Sequence, residues 1–223
     1  MTERENIFAR IREALAVTAP QPGAHNHGTP SARRNARDVL PATGTTADQN
    51  FDLFRKNAAE LKADFQLVKN LDELAAQLAK LRDAEGWKKV AAHQGDLTDA
   101  ACRALALPVC LTNHGYDVND MEHCDAGISE CDALVAQTGS VLVTSQSAGG
   151  RALSVLPPHH VVIARREQLV AGLPEAFALL KSKYGASYPS MISFITGPSR
   201  TGDIERILVL GAHGPKKLTI FCL

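Results

Sequence analysis

Neither sign of charge is in excess: 24 Lys and Arg stand against 24 Asp and Glu in 223 residues. Holding nucleic acid by phosphate neutralisation needs a basic surplus or stripe, so that class of function is excluded, as is a highly charged disordered tail. Long apolar runs are also missing. No stretch of about 18 apolar residues is available to span a membrane, and Met1-Thr2-Glu3-Arg4-Glu5 lacks the apolar run of a signal peptide. Cysteine is sparse and irregular. Cys102, Cys110, Cys124, Cys131 and Cys222 are odd in number, with no Cys-x-x-Cys among them. This spacing fits neither a disulfide framework nor a zinc or iron–sulfur site, and predicts scattered thiols, no metal, no cofactor and a reducing cytoplasm. Three catalytic fingerprints are absent as well: the Gly-Lys-Ser/Thr ending of a P-loop, Gly-x-Gly-x-x-Gly, and Gly-x-Ser-x-Gly around Ser140, Ser145, Ser147 or Ser154.

What is present is the composition of an ordinary globular protein, 45% hydrophobic and 22% charged. Ile7, Phe8, Ile11, Ala14 and Leu15 recur at helical spacing behind a Thr2–Glu5 capping box, which predicts an amphipathic helix within residues 1–17. Residues 18–48 carry four prolines and three glycines with only Val39 and Leu40 as large apolar side chains. They read as a linker. Residues 49–223 read as one domain. Helices are expected around Phe51–Leu61, Leu71–Leu81 (capped by Asn70), Leu97–Leu105, Pro174–Lys183 and Asp203–Leu208. Strands are expected at Trp87–Ala92, Val109–Leu111, Gly127–Ser129, Ala133–Ala136, Ser140–Thr144, Ala152–Leu156, Val161–Ala164, Met191–Thr196 and Leu218–Leu223. The alternation predicts an α/β fold with a largely parallel sheet, extended by hairpins in mid-chain.

Three polar loops interrupt the apolar runs. The first holds Thr138, Gly139 and Ser140 after Gln137. The second runs from Gly149-Gly150-Arg151 to His159-His160. The third holds Thr196, Gly197, Ser199, Arg200, Thr201 and Asp203. Strand-end loops are where open α/β sheets bind ligands, and in the third small residues, a following helix start and the Arg200 fork suit a carboxylate or phosphate. On the structural alternative, Ser199 or Thr201 only caps that helix while Asp203 and Glu205 complement its dipole. His213, before Gly214-Pro215, is either a general acid–base group or part of a turn. Alternation sends His159 and His160 to opposite faces of their strand.

Gln137-Thr138-Gly139-Ser140-Val141-Leu142, Leu156-Pro157-Pro158-His159, Thr196 through Glu205, and Leu208 through Pro215 together resemble the LUD domain, and more narrowly the lactate-utilisation protein C family. The resemblance covers residues 50–223, with an acidic residue common in the family where Gln137 stands. It implies a Rossmann-like α/β sheet of the sugar-phosphate isomerase, CoA-transferase and methenyltetrahydrofolate-synthetase type, with a small β appendage. It also implies a part in oxidising L-lactate to pyruvate beside iron–sulfur oxidoreductase subunits. Three functions follow as expectations. The first is a cluster-free component of that system, binding a small anion or a partner. The second is a transferase or cyclo-ligase-like enzyme acting on a folate, CoA ester or sugar phosphate. The third is an interaction module, including a homo-oligomer, that docks through the N-terminal helix.

Overall fold

The computed structural model describes residues 2–16, 40–201 and 209–223, with Thr201, Val209 and Leu210 as backbone. The chain divides into residues 1–40 and 41–223. In the first unit, α1 (Glu3–Ala16) starts at the anticipated box: Thr2 N donates to Glu5 Oε2 at 2.7 Å and Glu5 N to Thr2 Oγ1 at 3.4 Å. None of its residues is buried, and Ile7, Phe8, Ile11 and Leu15 are exposed. The region read as a linker lies largely outside the described residues.

In the second unit the elements run α2 (Ala47–Glu60), β1 (Asp64–Leu67), α3 (Leu71–Glu85), β2 (Val90–Ala92), α4 (Asp96–Leu105), β3 (Val109–Leu111), α5 (Val118–Glu122) and β4 (Ala126–Ser129). They continue with β5 (Ala133–Val135), β6 (Ser140–Thr144), β7 (His159–Ala164), β8 (Leu169–Val170), α6 (Leu173–Tyr184), β9 (Ile192–Ile195), β10 (Arg200–Thr201), β11 (Val209–Leu210) and β12 (Lys217–Cys222). Six strands form a parallel sheet in the order β1-β12-β7-β4-β2-β3. The mid-chain hairpin does not extend this sheet. It builds a separate four-stranded sheet, β8-β5-β6-β9.

Strand alternation sorts the core into layers. Val161 and Ile163 of β7 face Leu74 and Leu78 of α3 and Leu97 and Leu105 of α4. Val162 and Ala164 face Phe54 and Ala58 of α2 and Leu134 and Val143 of the second sheet. That sheet turns Val135 and Leu142 outward onto Ala176 and Leu180 of α6. Residues 152–156, expected as a strand, instead form a turn, with Leu156 N donating to Ala152 O at 2.8 Å. Ala152 and Leu153 plug the core around Met121, and the Leu153 carbonyl presses on β4 so closely that a Cβ at Gly127 would lie 2.3 Å from it. Backbone pressed end-on against a strand cannot also pair beside it, which is why the apolar run makes no ladder. Among the described residues, no helix is long and apolar enough to cross a membrane.

Candidate functional site

The loops picked out in the sequence meet in pairs. Ser140 Oγ donates to Thr138 Oγ1 at 2.8 Å and lies 2.8 Å from Thr196 Oγ1, so the first and third loops share one hydroxyl cluster at an end of the second sheet. Both rest on the C-terminal end of α2. Gly139 and Gly197 have φ of +65° and +86°, and a Cβ on them would lie 2.7 Å from Ala58 N and 2.6 Å from Leu61 O. Only glycine combines that conformation with that approach. Gln137 is buried and ties two segments together: Nε2 donates to Pro41 O at 2.6 Å and Oε1 accepts from Leu173 N at 3.2 Å.

Ser199 and Gly214 form the second meeting point. Ser199 N donates to Pro215 O at 2.8 Å, and β10 and β11 pair antiparallel. Asp203 and the short helix expected at 203–208 lie outside the described residues, and of Thr201 only the backbone is described. Arg200 and His213 line different clefts, which share Lys216. Arg200 opens on a cleft of about 590 Å³ with Lys62 and Lys216, whereas His213 lines one of about 560 Å³ with Val155, Leu156 and Glu122.

His159 and His160 open β7, both buried, on opposite faces. His159 Nε2 meets Thr219 Oγ1 at 2.9 Å and His160 Nε2 meets Ser129 Oγ at 2.8 Å. Burial pushes both imidazoles down, to about 4 for His159 and about 3 for His160, so both are neutral near pH 7.

The sheet order points to a different place. From β2 the chain moves outward to β3, then returns to lay β4 on the other side of β2 and proceeds to β7 and β12. The crevice beyond the C-terminal ends of β2 and β4 is therefore the topological switch point, where open α/β sheets hold ligands. A crevice of about 210 Å³ lies there, lined by His93, Gln94, Glu130, Gln146, Ser147 and Lys183 among others. The loop after β6 closes over it. Gly149, at φ +62°, sits on the His93 ring, with a Cβ there 2.5 Å from the imidazole.

Two carboxylates organise this crevice. Glu130 Oε1 accepts from Leu97 N at 2.9 Å and Thr98 N at 3.4 Å, capping α4 from a distant strand. The N-cap position itself is Gly95, because any Cβ would lie 2.4 Å from that carboxylate. Asp132 Oδ1 accepts from Lys183 Nζ at 2.6 Å and Tyr184 OH at 2.7 Å. Burial alone would raise the Asp132 carboxyl, but hydrogen bonds from Lys183, Ser147, Tyr184 and Thr144 outweigh it and hold it below the ordinary range. Lys183 is thereby fixed as a cation at the crevice wall, beside two amides, a hydroxyl and an imidazole. These groups suit a small polar anion that also carries a hydroxyl or carbonyl.

Sequence reading missed His93, Gln94, Glu130 and Lys183. The available signal was the polar run Ser129-Glu130-Cys131-Asp132 between two apolar strands. Its meaning depends on the strand order, which the sequence does not display.

A LUD domain is matched over residues 118–223. Lactate utilization protein C of Shouchella clausii is 29% identical over 177 residues, 76% of this chain and 77% of that protein. Lactate utilization protein C of Geobacillus kaustophilus is 36% identical over 103 residues, 45% of this chain and 43% of that one. That of Halalkalibacterium halodurans is 38% identical over 100 residues, 44% of each chain. With the last two, this chain spans under half of the relative's length. In structure it resembles a DUF162 family protein from Deinococcus radiodurans, with TM-score 0.62 at 17% identity over 80% of this chain and 99% of the other. That likeness bears on the fold, and it agrees with the parallel sheet described above. Residues 118–223 thus match a LUD domain, and the chain as a whole is similar to proteins named lactate utilization protein C.

Proposed function

We propose that this chain serves lactate utilisation as a cluster-free component working beside iron–sulfur oxidoreductase subunits, and that it holds a small hydroxy- or oxo-carboxylate in the switch-point crevice. The relatives' shared name supports the process. The observation that carries the ligand is the convergence of Lys183, Gln94, Gln146, His93 and Glu130 on a crevice of about 210 Å³. Lys183 and the amide N–H groups meet the carboxylate, while His93 and Glu130 face the hydroxyl or carbonyl carbon's side. Glu130 already occupies the helix start, so the crevice selects by hydrogen-bond pattern rather than by a bare dipole.

Thermal denaturation with L-lactate and with pyruvate tests the ligand. A ligand at a hundred times its Kd adds about 2.7 kcal/mol, roughly 5–10 °C for a chain of this size, and Lys183→Met removes the shift. A shift with a folate, acyl-CoA or sugar phosphate that is lost in Lys183→Met, with none from lactate, replaces this reading by a transferase or cyclo-ligase-like activity. Reconstitution tests the process: L-lactate oxidation by the two cluster-bearing subunits depends on this chain, and undiminished turnover without it refutes the role.

A further inference from the structure

The cleft that contains Arg200 lies at the opposite, N-terminal edge of the parallel sheet, where β1, β7 and β12 begin. Its volume, about 590 Å³, falls in the range of about 300–1,000 Å³ typical of metabolite-sized ligands. Three segments far apart in sequence each bring a cation to it: Lys62 after α2, Arg200 on β10 and Lys216 before β12. Lys217 also lines it, but both Glu85 oxygens hold its ammonium at 2.7 Å. Among the described residues Asp64 is the remaining carboxylate of the lining, so cations prevail there. Leu81, Leu218 and Pro198 supply apolar wall beside them.

A buried polar group completes the site. His159 is only 4% exposed and lines this cleft as well as an adjoining lobe of about 210 Å³ that reaches Trp87. Its Nε2 is used on Thr219, while its Nδ1 has no hydrogen-bond partner among the described residues. A buried imidazole nitrogen left unpaired behind the wall of a cleft is costly unless something else satisfies it.

We infer that this N-terminal-edge cleft is a second ligand site, and that it takes a phosphomonoester with an apolar body. A monocarboxylate engages one cation well, whereas a dianionic phosphate presents three oxygens to Arg200, Lys216 and Lys62, with the planar Arg fork taking two of them. The ligand's body lies on Leu81, Leu218 and Pro198, and a hydroxyl or ester oxygen reaches toward His159. The site does not rest on the lactate reading, and no group of the switch-point crevice takes part in it.

Trp87 is the chain's single tryptophan and packs edge-on against His159, with ring centroids 5.2 Å apart. Its fluorescence, excited at the red edge in the full chain, therefore reports on this cleft. Titration with phenyl phosphate is expected to change the emission saturably, with affinity at least about tenfold above inorganic phosphate or benzoate. Arg200→Ala and Lys216→Ala each weaken phenyl phosphate about tenfold, the loss expected of one charge-assisted contact. Both variants keep the parent melting temperature, since the side chains are exposed. His93→Ala leaves the affinity unchanged. The proposal is overturned by an absent or non-saturating response, by equal affinity for inorganic phosphate, by indifference to both cation substitutions, or by a matching loss in His93→Ala. A failure of lactate binding leaves these outcomes untouched, and the reverse also holds.

Discussion

At the C-terminal edge of the parallel sheet Glu130 caps α4, and Asp132 Oδ1 is held by Lys183 and Tyr184 while its Oδ2 has no partner among the described residues. At the N-terminal edge Lys62, Arg200 and Lys216 gather around a cleft with few acids among the described residues, beside a histidine whose Nδ1 has no partner among them. The difference follows from chain direction. Helices that follow parallel strands begin at the C-terminal edge, so backbone N–H groups supply positive potential there and an internal carboxylate can consume it. The N-terminal edge receives helix C-termini instead, such as the end of α3 at Glu85. Attraction for an anion there has to come from side-chain cations, and Lys217 serves first to neutralise Glu85. One edge thus presents hydrogen-bonding groups and the other positive side chains.

The comparison breaks most visibly in acid. His159 and His160 have folded values of about 4 and about 3, below the unfolded value of 6.5, so the unfolded chain takes up protons first. Stability is therefore expected to fall as pH drops from 6.5 toward 4, by up to about 1.4 kcal/mol per pH unit for each histidine. Asp132 acts with the same sign in a lower window. Its carboxyl is held below 3.8, so its contribution persists across that range and is lost only in stronger acid. Urea denaturation at pH 7, 6 and 5 reads the slope, and His160→Gln should roughly halve it. A flat profile contradicts the burial of both imidazoles.

At the crevice edge, Asp132→Ala removes the acceptor of Lys183 and Tyr184. Because the Lys183 side chain is half exposed, the cost is about 2–3 kcal/mol, below the roughly 3–5 kcal/mol of breaking a fully buried pair. Asp132→Asn should recover part of it by keeping the Tyr184 contact. Gly149→Ala places a methyl group against the His93 ring at positive φ, with an expected cost of about 1–3 kcal/mol. It should abolish lactate binding while the Trp87 response to phenyl phosphate survives, which separates the two edges directly. The smallest effect belongs to Glu130→Gln. The amide oxygen can still cap α4, so only the charge–dipole component is lost, about 0.5–1 kcal/mol of unfolding free energy by urea denaturation.

Much of the fold was legible because it is local. Asn70 caps α3 as its spacing predicts, accepting from Glu73 N at 2.9 Å, although the Glu73 carboxylate reaches one residue further back, to Lys69 N at 2.8 Å. The apolar runs at Val109–Leu111 and Ser140–Thr144 are strands within the same limits. β1 was not legible, since Asp64–Leu67 alternates weakly and becomes a strand only by pairing with β12 at the sheet edge. Arg200 was singled out as a candidate anion-binding side chain because its loop is rich in small residues, and it lines a cleft. The crevice at His93 and Glu130 escaped notice because two strands 36 residues apart by register, Ala92 and Ile128 among their pairs, become neighbours only through the return of β4 across β2.

The abutment of Gly139 and Gly197 on α2 has a consequence for where this protein can be cut. The matched LUD segment begins at residue 118, yet both turns lean on a helix that ends at Glu60. A fragment limited to residues 118–223 would retain β4, β7 and β12 but forfeit β1, β2 and β3, exposing two unpaired strand edges and the apolar face that Phe54 and Ala58 cover. The cooperative unit of folding is therefore wider than the stretch by which the family is recognised. Its minimal self-standing piece begins with the segment leading into α2, where the Pro41 carbonyl is already fastened to Gln137.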